Sequence, residues 1–252
     1  MKKIVLFTTL LALSACAPQP PVISTPSHCK AVGYQYNLES LTYALVWADE
    51  FDVDGQPDPE SWGFDVGGGG WGNRELQFYT QGDNVQILDG KLIIEARQEE
   101  HGRYNFTSTR LVTRNRGDWR YGRVEVRAQV PDVLGSWAAI WMLPTVNQYG
   151  SWPSSGEIDI MEYVVQDLNI IHGTVHTSRF NHINSTQQGF SRPLSDVSNT
   201  FHTYAIEWLP DQIRFYFNDQ FMWRYKPSIN LTCPTSREWP FDIPFHLILN
   251  IA

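Results

Sequence analysis

Apolar and polar residues alternate at Val124, Val126, Ala128 and Val130, again at Ile213, Phe215 and Phe217, and again at Phe245, Leu247, Leu249 and Ile251. Successive side chains of a strand point to opposite faces, so each stretch predicts a strand with one face on a core. Asp89-Gly90 separates residues 84–88 from residues 91–96, both apolar-rich, and predicts a two-residue hairpin. Asn218-Asp219-Gln220 plays a similar part between two aromatic strands. No stretch carries a capped helical stripe, and turn residues recur at short intervals. A two-sheet antiparallel sandwich is the economical all-β reading, without internal repeats.

The N-terminus departs from this pattern. Lys2 and Lys3 precede the apolar run 4–13, which is too short to span a bilayer but suits an export signal. Leu13-Ser14-Ala15-Cys16 reads as a bacterial lipobox, so residues 1–15 are expected to be a lipoprotein signal peptide and Cys16 the lipidated residue; a plain secretory signal is the alternative. Multiple acyl chains on Cys16 would hold the protein firmly on a membrane. Ala17 is not the acidic residue that would favour the inner membrane, so an exported, outer-membrane lipoprotein is expected. Residues 16–30 comprise Cys16 and a Pro/Ser-rich linker, and residues 31–252 one domain. With Cys16 lipidated, Cys29 and Cys233 either pair or remain separate buried thiols. The last residues, Leu249-Asn250-Ile251-Ala252, lie within a strand-like stretch, which gives the expectation of a C-terminally incomplete domain.

A formal net charge of -8 argues against nucleic acid as a partner, because phosphate needs a basic surface. A neutral polysaccharide meets no such repulsion. Ten Trp in 252 residues exceed what one core ordinarily needs, so some indoles are expected to be exposed and to serve function. A monomer is expected.

The chemistry concentrates in Gly156-Glu157-Ile158-Asp159-Ile160-Met161-Glu162-Tyr163. Strand periodicity puts Glu157 and Asp159 on one face and leaves Glu162 out of phase; a one-residue bulge at Ile160-Met161 brings it back. The outer glutamates then lie about 13 Å apart at Cα, and their tips can approach to about 5 Å, the separation of a retaining glycosidase. Glu157 is assigned nucleophilic attack, Glu162 proton transfer, and Asp159 control of the nucleophile's orientation and charge. A bare Glu-x-Asp-x-x-Glu arises by chance in about one chain in twenty, so the triplet alone is only suggestive. The alternative, a solvated acidic face, is weakened by Ile158, Ile160 and Met161, which mark a buried strand. His172 and His176 share a strand face by period two, but no His-rich spacing supplies the three ligands of a hydrolytic zinc site.

The acidic segment resembles the active-site strand of glycoside hydrolase family 16 in the bulged form of laminarinases, and the likeness runs from about Leu45 to Ala252. The run from Trp71-Gly72-Asn73-Arg74-Glu75 to Thr80 resembles the segment lining the donor side of the cleft. Gly135 to Pro144 resembles the strand that brings tryptophans beside the scissile bond, with Ala138 where the family usually has Pro. Gly173-Thr174-Val175-His176 and Phe201 to Trp208 resemble the next strand and a framework strand. The resemblance implies a β-jelly roll with an open concave cleft, and a retaining endo-β-1,3-glucanase acting on β-glucan polysaccharide. Trp71, Asn73, Arg74, Trp137, Trp141 and His176 would bind substrate; Trp47, Trp62 and Trp208 are left to the core. No cofactor is required. Family domains often hold a structural calcium ion, but its acidic ligand falls in a final strand without counterpart here, so no residue is assigned to it. Mixed-linkage glucan or a galactan as substrate, and a non-catalytic carbohydrate-binding jelly roll, are the alternatives.

Overall fold

The computed structural model describes residues 28–167 and 169–252 and the backbone of Ile4–Thr8. Cys16 and residues 17–27 of the expected linker lie outside the described residues, as does the rest of the expected signal peptide. Two large antiparallel sheets face one another. In strand order, the six-stranded sheet runs Gln220–Tyr225, Gln212–Phe217, His202–Leu209, Gly122–Ala128, Ile4–Thr8 and Ala44–Asp49. The eight-stranded sheet runs Gln188–Pro193, Ile170–His176, Glu157–Val164, Trp137–Pro144, Phe245–Ile251, Arg110–Val112 and Gly63–Phe64, with Asp118–Trp119 also pairing the Phe245–Ile251 strand. The helical elements among the described residues are short 3-10 turns.

The alternating residues meet between the sheets. Val124, Val126, Ile213, Phe215, Phe245, Leu247 and Leu249 are buried in one apolar cluster with Ile158, Met161, Val175 and Ile206. Each such large side chain contributes about 1.5–3 kcal/mol on burial, enough to fix the register of its strand. Trp62 and Trp208 are fully buried as expected; Trp47 is half-buried, its ring meeting Trp62 and Trp119 edge-on. Trp208 satisfies its indole N–H on the Phe241 carbonyl at 3.0 Å.

Both predicted turns form. Leu88 and Lys91 exchange backbone hydrogen bonds around Asp89 and Gly90, whose φ values are 52° and 65°. Asn218 and Asp219, at φ 47° and 62°, join Phe217 to Gln220, so Gln220 already belongs to the next strand. Positive φ at both central residues matches the right-handed twist of the paired strands. Cys29 and Cys233 form a disulfide, closing the alternative of separate thiols.

Because Phe245, Leu247 and Leu249 face the core, Asn250 and Ile248 point to the opposite face of the eight-stranded sheet. Cross-strand register carries that face outward: Arg110 pairs Asn250, Asn250 pairs Ala139, Ala139 pairs Glu162, and Glu162 pairs His172. The next row runs Val112, Ile248, Trp141, Asp159 and Thr174.

Candidate active site

The acidic strand carries the expected bulge. Ile140 pairs Met161 and the adjoining Trp141 pairs Asp159, so Ile160 is the extra residue; the same shift separates Asp159 from Glu162 against the Ile170–His176 strand. Ile160 and Met161 are both buried in the core, which anchors the irregularity. Beyond it Glu162 returns to the face of Glu157 and Asp159, opposite His172, with Thr174 and His176 opposite the other two. The triplet is thereby brought to one face.

The three carboxyl groups perturb one another. Burial first, then the Asp159 charge and more distantly Glu162, push Glu157 well above the usual carboxylate range, while His176 and the Trp152 indole pull it back. Burial and the Glu162 charge likewise push Asp159 well up, opposed by its hydrogen bond with Glu157. Glu162 is raised by burial and restrained by His176, Trp137 and Thr174. Carboxyl groups this close share protons as a set, so at least one stays protonated where an exposed acid would be ionised.

Side chains from neighbouring elements hold the set in place. His176 Nε2 lies 3.3 Å from Asp159 Oδ2 and 3.7 Å from Glu157 Oε1. Thr174 Oγ1 donates to Glu162 Oε2 at 3.5 Å. Trp137 Nε1 is buried beside Glu162 and favours its charged form without meeting it in a well-formed hydrogen bond. Donor atoms of Glu157, Asp159 and His176 lie within 4.8 Å of one another. Glu157 already accepts from Trp152 and its charge is coupled to that of Asp159, so we read the group as a proton-sharing cluster and assign no metal to it.

Of the remaining sequence-predicted residues, Trp141 and Trp71 flank this cluster through Arg110. Trp141, half-buried, donates from Nε1 to Asn250 Oδ1 at 2.7 Å; Asn250 donates to the Tyr79 hydroxyl at 3.0 Å, which donates to Glu75 Oε2 at 2.9 Å. The Arg110 guanidinium lies over the rings of both Trp71 and Trp141, 4.7 and 4.6 Å from their centroids, and is paired with Asp65 at 3.2 Å. Trp71 sits at φ 45° in a glycine-rich loop and donates to the Gly67 carbonyl at 3.2 Å. Asn73 and Arg74 are exposed in that loop, with Arg74 at φ 60°. His172 turns to Ser191 Oγ at 2.8 Å and Asp167 at 3.7 Å, at the margin of the cluster.

Sequence reasoning missed Trp152, whose Nε1 donates to Glu157 Oε2 at 2.9 Å. It lies in the irregular loop before the acidic strand, where no periodicity points it anywhere. His182, with its ring centroid 4.9 Å from Trp152 and 5.2 Å from His176, was missed for the same reason. Arg110, Asn250 and Thr174 were missed too, although Thr174 lies at period two between His172 and His176, which was the available signal.

Paired carboxyl groups with raised proton affinity, rimmed by indoles on an open sheet face, are the apparatus of glycosidic bond cleavage. Comparison with known proteins agrees. Residues 72–251 match the model of glycosyl hydrolases family 16. The "Beta-glucanase" of Rhodothermus marinus is 50% identical over 230 residues, covering 89% of this chain and 80% of the relative. The "Glucan endo-1,3-beta-glucosidase" of Cryptopygus antarcticus is 37% identical, covering 83% of this chain and 80% of the relative. The crystal structure of the laminarinase from Rhodothermus marinus superposes with a TM-score of 0.79 at 48% identity, over 82% of this chain and 84% of the other. An all-β jelly roll bearing this site over most of its length, the chain belongs to glycosyl hydrolases family 16.

Proposed function

We propose that this glycoside hydrolase is a retaining endo-β-1,3-glucanase of the laminarinase type. The observation that carries the reading is the bulge at Ile160, which gathers Glu157, Asp159 and Glu162 on one open sheet face. The names of the two relatives and of the structural neighbour support β-glucan as substrate.

In this reading a glucan chain lies across the strands with a glycosidic bond between Glu157 and Glu162. Glu157 attacks the anomeric carbon as a carboxylate, its charge supported by His176 and the Trp152 indole, while Glu162 carries a proton of the shared set and gives it to the leaving oxygen. A glycosyl-Glu157 ester forms and the leaving sugar departs. Glu162, now ionised, takes a proton from water, whose oxygen attacks the same carbon and releases Glu157. Asp159, whose burial favours its protonated form, donates to Glu157 and spreads its charge; the Trp152 indole does the same at Glu157 Oε2. Trp71, Trp137 and Trp141 offer flat faces to sugar C–H surfaces, and Asn73 and Arg74 offer hydroxyl partners. Enzymes of this family need no cofactor, and the steps above use only carboxyl groups and water.

The same reading carries the expectations about placement: export, lipidation at Cys16 and attachment to the outer membrane, with a monomeric domain acting on polymer outside the cytoplasm. An exported location suits the Cys29–Cys233 disulfide. The substrate is tested by comparing rates on laminarin, lichenan and agarose. Laminarin is expected to be cut fastest, lichenan more slowly and agarose not at all. Agarose cleaved in preference to both glucans would overturn the β-1,3-glucan assignment.

A further inference from the structure

The loop that delivers Trp152 to Glu157 is fastened from an unexpected quarter. Lys30 lies next to Cys29, which is bonded to Cys233, and its backbone N–H donates to the Pro234 carbonyl at 2.6 Å. From there its ammonium reaches the Tyr149 hydroxyl at 2.6 Å and pairs with the Asp242 carboxylate, while Tyr149 donates to the other Asp242 oxygen at 2.8 Å. Burial works against the Lys30 charge, but Asp242 and Tyr149 outweigh it and hold its pKa up. Tyr149 in turn passes its backbone N–H to Ser155 Oγ at 3.0 Å, and Ser155 donates to the Gly150 carbonyl at 2.7 Å. Trp152 sits inside that closed ring.

The other side of the loop is equally constrained. Gly156, at φ +89°, leaves 2.8 Å between a hypothetical Cβ and Pro240 Cγ and 2.9 Å to the Phe241 ring. The loop is therefore pressed on the segment that carries Asp242, and that segment is bound to the N-terminal strap by the disulfide and by Lys30. A displaced strap takes Lys30 from both Tyr149 and Asp242, and the ring carrying Trp152 keeps only the Tyr149–Asp242 bond as its outer support.

We propose that the strap Cys29-Lys30 is a latch, and that Lys30 and Tyr149 are positioning residues that act on Glu157 through Trp152. The proposal rests on the assignment of Glu157 as nucleophile. Charged and titratable groups facing Glu157 are Asp159 and Glu162 on its own strand, His176 on the next, and Arg110 across the sheet; His182 stands behind Trp152 and His176. None belongs to the strap, so a strap variant reaches Glu157 only through the loop.

Because the Trp152 hydrogen bond favours the ionised nucleophile, its loss raises the pH at which Glu157 becomes active. Trp152→Phe is expected to move the acidic limb of kcat/KM upward; a one-unit displacement lowers kcat/KM below the limb by about tenfold. Lys30→Met and the milder Tyr149→Phe are expected to move it the same way by less, roughly threefold. In the double variant Lys30→Met/Trp152→Phe the limb is expected to stay where Trp152→Phe alone puts it, because both act through one bond. Dithiothreitol supplies a second measurement: its two thiols reduce Cys29–Cys233 to two thiols and become a cyclic disulfide, and the limb of the native chain should then move as in Lys30→Met. The latch is overturned if Lys30→Met and Tyr149→Phe lower the melting temperature while leaving the acidic limb in place, or if Lys30→Met and Trp152→Phe add fully. A native chain inactive on every β-glucan would instead sink the function assigned above.

Discussion

Glu157→Gln is expected to lower kcat on laminarin by roughly 10³-fold or more while leaving glucan binding in place, because the amide keeps the side chain's shape but cannot attack the anomeric carbon. Glu162→Gln is expected to lower it by roughly 10²–10⁴-fold, the usual worth of a positioned acid and base. The two variants separate on an aryl β-glucoside whose phenolate leaves without a proton. Glu162→Gln should still release one equivalent of phenol in a burst, its ester then hydrolysing slowly for want of a base. Glu157→Gln should show no burst. Stopped-flow absorbance reads both, and a burst from Glu157→Gln would remove it from the nucleophile's place. Full activity in Glu157→Gln would leave Glu157 with no catalytic part, whereas a carbohydrate-binding jelly roll without catalysis would show no turnover even in the native chain.

Asp159→Asn is expected to slow turnover about 10–100-fold and to make the protein more stable at neutral pH. Asp159 is only 4% exposed, its Oδ2 meets no well-formed hydrogen bond although His176 Nε2 lies 3.3 Å away, and burial with the Glu162 charge pushes its pKa well up. A carboxyl group with a raised folded-state pKa binds more protons folded than unfolded. It therefore withdraws stability as pH climbs from its unfolded value, about 4, through the raised folded value. An amide carries no such penalty. Melting temperatures of the native chain and Asp159→Asn should agree near pH 4 and diverge towards pH 8, with the variant higher by about 2–4 °C for each kcal/mol relieved. A variant that melts lower than the native chain at pH 8 would mean that the Asp159 charge supports the fold, against the electrostatics described above. Removing strain at a functional cluster commonly raises stability and lowers activity together.

How far the fold could be read follows from which contacts are local. Alternation placed the Phe245–Ile251, Gly122–Ala128 and Gln212–Phe217 strands because each residue's side is set by its neighbours, and Asp89-Gly90 gave its hairpin because positive φ at two successive residues is a local demand. Glu157 and Asp159 were legible for the same reason. Glu162 was legible only with an assumed bulge, and burial of both Ile160 and Met161 supplies its cause. Trp71, Trp137 and Trp141 were brought to one side by the resemblance rather than by pattern, since an indole on a strand suits core and cleft equally well.

The parts that escaped depend on distant segments. Trp152 reaches Glu157 through a loop whose outer hold is an ion pair between Lys30 and Asp242, separated by 212 positions. Cys29 finds Cys233 across 204 positions, so the sequence could count the thiols but not join them. Arg110 sits among polar and apolar neighbours that give no hint of two indole partners, and Asn250 reads as one polar residue in a buried strand until Trp141 and Tyr79 are beside it.

The two-step displacement by Glu157 and Glu162 is tested most directly by following the anomeric proton of the first sugar released from a β-1,3-glucan oligosaccharide by NMR, before mutarotation. Two successive inversions at the same carbon predict that the β-anomer appears first and the α-anomer only later. An α-anomer formed first would mean a single displacement by water, and Glu157 could not be the nucleophile.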